Sequence, residues 1–256
     1  MNVDAYLERI GYTGSRVPTA ETLGNLHRSH LLSVPFENLD IALGQRILPS
    51  LERFFDKIVS ARRGGFCYEL NGLFAWLLEQ LGYPVTLLSA RVYDGAQPGP
   101  EFDHLTLVVG REQNVIADVG FGDSFLEPFA IGTIAVHQNS AYRVTGPEAE
   151  RVLERRRELD WERQYIFSMV PRQLAEFGGM LEYHQTSPAS HFTRKAICSM
   201  ATPDGRLTLS GRRAIRTRGS RREEREVADP DEYRTLLKDW FAIDLGDDTL
   251  AETLFG

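Results

Sequence analysis

Cysteine is scarce in this sequence, because only Cys67 and Cys198 occur among its 256 residues. Two cysteines are too few for a disulfide scaffold, and no CxxC or His/Cys cluster has the spacing of zinc ligands. Neither a disulfide framework nor a metal site is therefore predicted. A reactive thiol instead becomes a hypothesis to test for each cysteine.

Long apolar runs and an excess of positive charge are lacking too. The first residues show the pattern of neither a signal peptide nor a membrane span of about 18 apolar residues. The chain has 29 Lys and Arg against 36 Asp and Glu, a net charge of −7, which disfavours nucleic acid or an acidic membrane as a partner. We expect a cytoplasmic protein, a monomer or homodimer, that acts on small molecules.

What is present is an ordinary globular composition, 42% hydrophobic and 25% charged, which can form a large core. Hydrophobic spacing predicts an α+β fold of three regions that pack as one body. Residues 1–83 read as helices, residues 84–187 as an antiparallel sheet or barrel, and residues 188–256 as a small α/β unit.

Helices in the first region are predicted at residues 3–10, at 19–33 with Thr19 as the N-cap, and at 50–61. The clearest helix has one apolar stripe, formed by Leu70, Leu73, Phe74, Leu77, Leu78 and Leu81. It stops at Gly82 and Pro84, and Cys67 lies in its first turn.

Alternating apolar and polar residues predict strands in the second region. The predicted strands are residues 85–93, 102–109, 114–119, 141–144 and 165–170. The polar, Arg-rich tract 148–162 is interpreted as a solvated face rather than a binding arm. The third region is predicted to contain strands at 196–201 and 206–209, a turn between them, and a helix at 231–241.

Cys67 is the first candidate for chemistry. A cysteine attacks as the thiolate, which the unpaired N–H groups and the dipole of a helix N-terminus favour. Gly64 and Gly65 precede it and permit backbone geometry or a close approach that a Cβ would obstruct. Read alone, Cys67 fits better as a buried structural thiol at the end of the apolar stripe.

His104 and Asp118 strengthen the catalytic interpretation, because each is a polar residue in an apolar strand and needs a partner. If their consecutive strands pair so that His104 stands directly across from Asp118, the two Cβ atoms lie about 5 Å apart on one face. A shift of one residue would place them on opposite faces. The hypothesis therefore requires a connection of odd length, such as 109–113, or a bulge.

Cys67, His104 and Asp118 would then work together. Asp118 would fix the tautomer and orientation of His104, which takes the proton of Cys67 and holds the ion pair. A satisfied core histidine is the alternative. The other histidines, expected on the surface or in local capping roles, are His27, His30, His137, His184 and His191. Cys198 is predicted to be a core residue.

Four segments of the chain are RGGFCYELN at residues 63–71, VPFENL at 34–39, DVGFG at 118–122 and CSMATPDGR at 198–206. Together they resemble the arylamine N-acetyltransferase family of prokaryotic type. Residues 63–71 resemble the family's active-site cysteine signature. Residues 34–39 resemble its upstream motif, and residues 118–122 its aspartate motif. Residues 198–206 resemble a C-terminal motif, so the resemblance spans nearly the whole chain.

The resemblance implies a catalytic triad of Cys67, His104 and Asp118 in a cysteine-protease-like core. It implies a helical first domain, a β-barrel second domain and an α/β lid. It also implies ping-pong transfer of an acetyl group from acetyl-CoA, through Cys67, to an arylamine, arylhydrazine or arylhydroxylamine, as in xenobiotic metabolism. Acetyl-CoA would be a co-substrate, and no cofactor would be bound permanently.

The resemblance further implies where the substrates bind. Phe36, Val92, Phe121 and Phe192 would line an apolar pocket for the acceptor amine. The backbone around Gly122 would be open to the coenzyme. For each of the four apolar side chains, plain core packing is the alternative.

Two departures from the family pattern bear on the coenzyme. Asp103 precedes His104 where threonine is often expected, which would alter coenzyme contacts. Little chain follows the helix predicted at 231–241, which bears on the lid and on the depth of the cleft. Both features concern the preference for the acyl donor.

Other functions fit the same three residues. Amide synthases of macrolactam biosynthesis use such a triad on a carrier-bound acyl chain. Transglutaminase-like or hydrolytic cysteine enzymes share the order Cys, His, Asp and do not need coenzyme A. A binding module with an inert site is a further alternative, against which the complete triad argues.

Overall fold

The structure, a computed structural model, describes residues 1–110, 113–137, 140–246 and 248–255. Its α-helices are α1 (Val3–Arg9), α2 (Ala20–Ser33), α3 (Leu39–Ala42), α4 (Leu51–Phe55), α5 (Cys67–Gln80), α6 (Gly178–Thr186), α7 (His191–Arg194), α8 (Pro230–Phe241) and α9 (Asp248–Phe255). A π-helix, Asp56–Ser60, continues α4, and a 3-10 helix, Leu174–Phe177, precedes α6. None of the helices in the described ranges is long and apolar enough to cross a membrane.

The strands are β1 (Phe36–Glu37), β2 (Val85–Asp94), β3 (Gln97–Pro98), β4 (His104–Val109), β5 (Val115–Ile116), β6 (Phe129–Ala130), β7 (Ile134–His137), β8 (Ser140–Thr145), β9 (Arg151–Arg157), β10 (Asp160–Arg172), β11 (Ile197–Thr202), β12 (Gly205–Ser210), β13 (Arg213–Arg218) and β14 (Arg221–Glu226). In the described residues, a nine-stranded sheet has the order β6-β5-β4-β2-β10-β9-β8-β7, with β3 beside β2. It curls into a nearly closed antiparallel barrel. A five-stranded sheet has the order β1-β11-β12-β13-β14. The predicted α+β class is confirmed.

Local signals set the ends of the helices. The hydroxyl of Thr19 accepts a hydrogen bond of 3.1 Å from the backbone N–H of Thr22, which confirms the predicted N-cap of α2. Helix α5 begins at Cys67, and Gly82 follows it with φ +88°, a conformation that glycine adopts without strain. The helix predicted over 50–61 is α4 followed by the π-helix.

Helix α5 runs through the largest core. Its side chains Leu70, Leu73, Phe74 and Leu77 are fully buried and belong to one cluster with residues of α1, α2 and β4. Burial of each such side chain stabilises the fold by about 1.5–3 kcal/mol. The core therefore anchors the helix whose first residue is Cys67.

A second cluster lies between the five-stranded sheet and α8, and a third fills the barrel. Cys198 is fully buried in the second cluster, so its prediction as a core residue is confirmed. β1 pairs with β11, placing Phe36 opposite Ser199. The helical first region therefore contributes a strand to the sheet of the third, and the subdomain boundaries at residues 83 and 187 stay predictions.

Several predicted strands have other bounds in the structure. The prediction of a strand over 114–119 is wrong beyond Ile116, because β5 ends there. The strand predicted at 165–170 is the second half of β10, which begins at Asp160. The tract 148–162 folds largely into a hairpin of β9 and β10, in which Leu153 is buried, so it is not wholly a solvated face.

Candidate active site

Cys67 is the first residue of α5, as the apolar stripe predicts, and it is 3% exposed. The chain that leads into this helix packs closely. A Cβ on Gly64 would lie 2.1 Å from the carbonyl oxygen of Pro35, so only glycine fits there. The backbone N–H of Phe66 donates a hydrogen bond of 3.1 Å to Glu69 Oε2, which supplies a partner for one of the helix's first amides.

A buried network of charges supports this turn. Lys57 Nζ lies 3.0 Å from both carboxylate oxygens of Glu69 and 2.8 Å from Asp40 Oδ2. Arg63 Nε donates to Glu37 Oε1 at 3.0 Å. Burial raises the pKa of Glu69 to about 7, although the positive charge of Lys57 lowers it. The negative charges of Glu37 and Asp40 raise it further. Removing one member would leave buried charge without compensation, so the network holds the entry to α5.

His104 and Asp118 form the central contact of the site. His104 Nε2 lies 2.7 Å from Asp118 Oδ2, and both side chains are buried. Burial lowers the pKa of His104, but the charge and hydrogen bond of Asp118 and the hydrogen-bonded side chain of Cys67 raise it to about 10. Burial raises the pKa of Asp118, yet the charge and hydrogen bond of His104 bring it down to about 2. The pair therefore favours an imidazolium beside the Cys67 thiol.

The strand register that joins His104 and Asp118 differs from the predicted one. In the observed pairing of β4 with β5, Asp118 falls opposite Thr106, so the predicted direct pairing with His104 is wrong. His104 and Asp118 are diagonal neighbours, which remain on one face because the register is displaced by two residues. The connection, residues 110–114, has the odd length that was required, and residues 111 and 112 lie outside the described part of the chain.

Asp118 accepts two further side-chain hydrogen bonds. Asn71 Nδ2 donates to Asp118 Oδ1 at 2.8 Å, and the hydroxyl of Tyr165 donates to Asp118 Oδ2 at 2.8 Å. The backbone N–H of Gly120 adds a bond of 2.9 Å to Oδ1, and Asn71 Oδ1 accepts from the N–H of Val119 at 2.9 Å. With His104, each carboxylate oxygen has two donors, which fixes its orientation.

Sequence reasoning assigned no role to Asn71 or Tyr165. A signal existed for Asn71, because a residue four positions after Cys67 lies on the same face of a helix. No comparable signal existed for Tyr165, which lies on β10 and reaches Asp118 only through the folding of the barrel.

The predicted substrate-lining residues lie around this contact. The ring of Phe121 packs 5.2 Å from that of His104, centroid to centroid. The rings of Phe36 and Phe192 lie 6.2 Å apart. Gly122 has φ +82°, and a Cβ there would come no closer than 4.0 Å to Phe36, so the backbone beside Phe36 is uncrowded. Phe36, Phe121, Gly122 and Phe192 are all partly exposed, and their roles in binding the acceptor or the coenzyme stay predictions.

Val92 lies on β2, where its N–H donates to Asp103 Oδ2 at 3.3 Å. His184 Nε2 lies 3.3 Å from Asp103 Oδ1, and His184 Nδ1 lies 3.2 Å from Ser190 Oγ. The carboxylate that departs from the family pattern therefore has a partner in α6. The prediction that His184 lies on the surface or caps locally is wrong, because this side chain is buried.

The same prediction is wrong for His27 and His30, which are fully buried. His27 Nδ1 lies 3.0 Å from the carbonyl oxygen of Leu126, so this nitrogen is the one that carries the proton. His30 Nδ1 lies 2.9 Å from the hydroxyl of Tyr6. Burial lowers the pKa of His27 to about 4 and holds that of His30 well below its usual range. Both are neutral histidines inside the core.

Comparison with known proteins identifies the family. A family model described as N-acetyltransferase matches residues 19–250. The chain is 34% identical to the arylamine N-acetyltransferase of Mycolicibacterium smegmatis, over 96% of this chain and 94% of that protein. This chain belongs to the arylamine N-acetyltransferase family. The family predicted from the four sequence segments is confirmed.

Solved structures of the family agree with this fold. The arylamine N-acetyltransferase of M. tuberculosis superposes with a TM-score of 0.92 at 31% identity, covering 100% of both chains. The Mycobacterium marinum enzyme, solved in complex with CoA, superposes with a TM-score of 0.90 at 31% identity, over 99% of this chain and 98% of that one. Among the described residues, no group of three or more His, Cys, Asp or Glu side chains could hold a metal ion.

Proposed function

We propose that this protein transfers an acetyl group from acetyl-CoA to an aromatic amine, through a thioester on Cys67. The observation that carries the proposal is the buried contact of 2.7 Å between His104 Nε2 and Asp118 Oδ2, beside a cysteine at a helix N-terminus. Membership of the arylamine N-acetyltransferase family supports the same chemistry. The complex of the M. marinum relative with CoA supports a coenzyme A thioester as the donor.

In the first half-reaction, His104 holds the proton of Cys67 as an imidazolium, and the thiolate attacks the acetyl carbonyl carbon. A bond forms between the Cys67 sulfur and that carbon, and the bond from the carbon to the sulfur of CoA breaks. The leaving thiolate of CoA takes the proton from His104. Asp118 stabilises the imidazolium while it lasts and keeps the ring oriented.

In the second half-reaction, the acceptor nitrogen attacks the thioester carbon. His104 removes a proton from that nitrogen, the new carbon–nitrogen bond forms, and the Cys67 thiolate leaves. The amide product departs and the ion pair is restored. Since the thioester itself carries the activated acyl group, no permanently bound cofactor is needed.

The same proposal assigns the substrate-lining residues. The aromatic ring of the acceptor would contact Phe36, Phe121 and Phe192. Val92 would form a side wall of the same pocket. Gly122 would let the donor approach Cys67 along its backbone. An aromatic wall suits a flat apolar acceptor because ring contacts add to the burial of apolar area.

Initial-rate kinetics with acetyl-CoA and an arylamine test the proposal. A ping-pong mechanism gives parallel lines in double-reciprocal plots and an acetylated amine as the product. Intersecting lines, or acetate as the product at a rate independent of the amine, would contradict it. The second result would favour a hydrolytic cysteine enzyme.

Two controls sharpen this experiment. Cys67→Ala should abolish turnover, and Cys198→Ala, which removes a buried thiol in another core cluster, should retain it. A carrier-bound acyl chain offered in place of acetyl-CoA would reveal a macrolactam amide synthase. The cytoplasmic location and the state as monomer or homodimer stay predictions.

A further inference from the structure

His184 is a buried histidine that the catalytic scheme above does not use. It lies on α6, its side chain is 4% exposed, and both of its ring nitrogens have a partner. Nε2 lies 3.3 Å from Asp103 Oδ1 and 3.3 Å from the carbonyl oxygen of Asp103, and Nδ1 lies 3.2 Å from Ser190 Oγ. In the neutral ring, Nε2–H donates to Asp103 and the hydroxyl of Ser190 donates to Nδ1. His184 therefore ties together the segments that carry these two partners.

The first partner leads to Val92. Asp103 Oδ2 accepts a hydrogen bond of 3.3 Å from the backbone N–H of Val92 on β2. The carboxylate thus lies between His184 and Val92, with one oxygen toward each. Its side chain is only 18% exposed, so water and salt weaken these contacts little. The backbone of Val92 is linked to His184 through a single side chain.

The second partner leads to Phe192. Ser190 is the N-cap of α7, and its buried Oγ accepts a hydrogen bond of 3.2 Å from the backbone N–H of Phe192. The rings of His184 and Phe192 also meet edge to face, with centroids 5.0 Å apart and planes at 89°. This is a favourable arrangement for two aromatic rings. His184 therefore contacts the ring of Phe192 directly and its backbone through Ser190.

The turn before Asp103 is strained and needs such an anchor. Phe102 has φ +64°, a left-handed conformation that a bulky residue rarely adopts. Its N–H donates to Ser89 Oγ at 2.8 Å, and its carbonyl oxygen accepts from the hydroxyl of Tyr68 at 2.7 Å. Strained backbone persists where the surrounding structure holds it in more than one way. His184 adds a further anchor one residue along the chain.

The catalytic contact has supports of its own. His104 Nε2 lies 2.7 Å from Asp118 Oδ2. The carbonyl oxygen of Asp103 also accepts from the hydroxyl of Tyr68 at 3.2 Å, so the entry to β4 keeps one anchor without His184. Removing His184 is therefore expected to disturb the walls of the acceptor pocket more than the reacting groups.

We propose that His184 is a positioning residue for the acceptor amine. It bridges Asp103 and Ser190, and through them it holds two walls of the acceptor pocket, Val92 and Phe192. The inference rests on the proposed function, which assigns those two residues to the pocket. Walls that are fixed before binding lose less conformational freedom when the amine enters, so binding is tighter. Asp103, which departs from the family pattern, then serves the acceptor through His184.

The second half-reaction, measured alone, tests the proposal. The protein is acetylated on Cys67, freed of CoA and mixed with increasing concentrations of 4-methylaniline. His184→Leu removes both hydrogen bonds and keeps a large buried side chain. We expect this variant to raise the amine concentration that gives half the maximal rate about threefold to tenfold, and to change the maximal rate less than about twofold. Acetylation of Cys67 by acetyl-CoA should keep its wild-type rate constant, a split that a general loss of structure would not give.

A second variant and a control keep the result interpretable. Ser190→Ala breaks only the link to Phe192, so it should raise the same amine concentration by a smaller factor. The matched control is His30→Leu, since His30 is also a buried histidine bonded to a hydroxyl, that of Tyr6 at 2.9 Å. It should leave the half-saturating amine concentration unchanged. An unchanged concentration in both His184→Leu and Ser190→Ala, or an equal slowing of the acetylation of Cys67, would overturn the proposal.

Calorimetry with 4-methylaniline, in the absence of acetyl-CoA, separates the pocket from the chemistry. This binding needs no thioester on Cys67. We expect it to weaken about threefold to tenfold in His184→Leu and to stay unchanged in His30→Leu. Such weakening in a protein whose wild type transfers no acetyl group would contradict the proposed function and support the role of His184. Acetyl transfer by the wild type, with binding that does not weaken in His184→Leu, would contradict the role of His184 alone.

Discussion

Asn71 Nδ2 donates a hydrogen bond of 2.8 Å to Asp118 Oδ1. Asn71 lies about one helical turn after Cys67 on α5, so a single helix carries the candidate nucleophile and holds the acid that orients His104. The geometry of the three residues is thus tied to the rigidity of α5, whose apolar face is buried in the largest core.

Asn71→Ala should impair both stability and acylation. The change leaves Asp118 Oδ1 and the N–H of Val119 each without one partner, which costs about 1–3 kcal/mol in the free energy of unfolding. Loss of an orienting partner should slow acetylation of Cys67 by about 10–100-fold. Urea unfolding and stopped-flow acylation measure the two effects. Destabilisation with an unchanged acylation rate would show that Asn71 supports the fold alone.

Tyr165→Phe removes the hydroxyl that donates to Asp118 Oδ2 and keeps the ring, whose centroid lies 5.2 Å from that of His104. With one donor fewer, the pKa of Asp118 should rise. As the pH is lowered, the acylation rate of the variant should therefore begin to fall at a higher pH than that of the wild type. Tyr83→Phe is the matched control, because its hydroxyl donates to the carbonyl of Thr19 at 2.8 Å, away from this site. Both variants should lose about 1 kcal/mol of stability. Identical pH profiles of acylation would refute the role of Tyr165.

Gly120→Ala should disrupt the site through a steric clash. The new Cβ would lie 2.9 Å from Cys67 Cα and 2.7 Å from Asn71 Nδ2, which forces the loop away from α5. We expect acylation to fall at least about tenfold, since small displacements of reacting groups are costly. Gly24→Ala in α2, where a Cβ meets nothing within 4 Å, should instead stabilise the protein by about 0.5–1 kcal/mol and keep activity. Normal activity of Gly120→Ala would contradict this account of the loop.

The raised pKa of His104 predicts how stability depends on pH. Its pKa in the folded chain is about 10 against an ordinary value of 6.5, so its contribution is full below pH 6.5 and is lost as the pH rises through 10. In a Cys67→Ala background the thiol does not titrate and no longer helps to raise this pKa, but the charge and hydrogen bond of Asp118 still do. Stability should therefore still fall above pH 6.5, by up to about 1.4 kcal/mol per pH unit from this group, over a range that ends at a lower pH than in the wild type. Adding His104→Gln should remove that fall. Parallel curves for the two proteins, from urea titrations at each pH, would disprove the ion pair.

Local features of the fold were predictable because local chemistry sets them. The stripe from Leu70 to Leu81 ends at Gly82 for reasons contained in that segment, and the structure has α5 there. Thr19 caps α2 in the same way. His104 and Asp118 were found because a polar residue in an apolar strand demands a partner.

Features that depend on distant contacts were not predictable. Strand β5 ends at Ile116, so the register with β4 is shifted and Asp118 reaches His104 diagonally from a loop. His27 was expected outside because its partner, the carbonyl of Leu126, lies on a loop 99 residues further along the chain. Nothing near Tyr165 in the sequence indicates that its hydroxyl meets Asp118. Burial of a polar side chain follows from which segments fold together.

The most direct test of the central claim is mass spectrometry of the protein after mixing with acetyl-CoA alone. The account predicts that the intact chain gains the mass of one acetyl group, that peptide mapping places it on Cys67, and that an arylamine removes it as the acetylated amine. His104→Gln should form this adduct far more slowly. Absence of the adduct in the wild type, or its location on Cys198, would contradict the account.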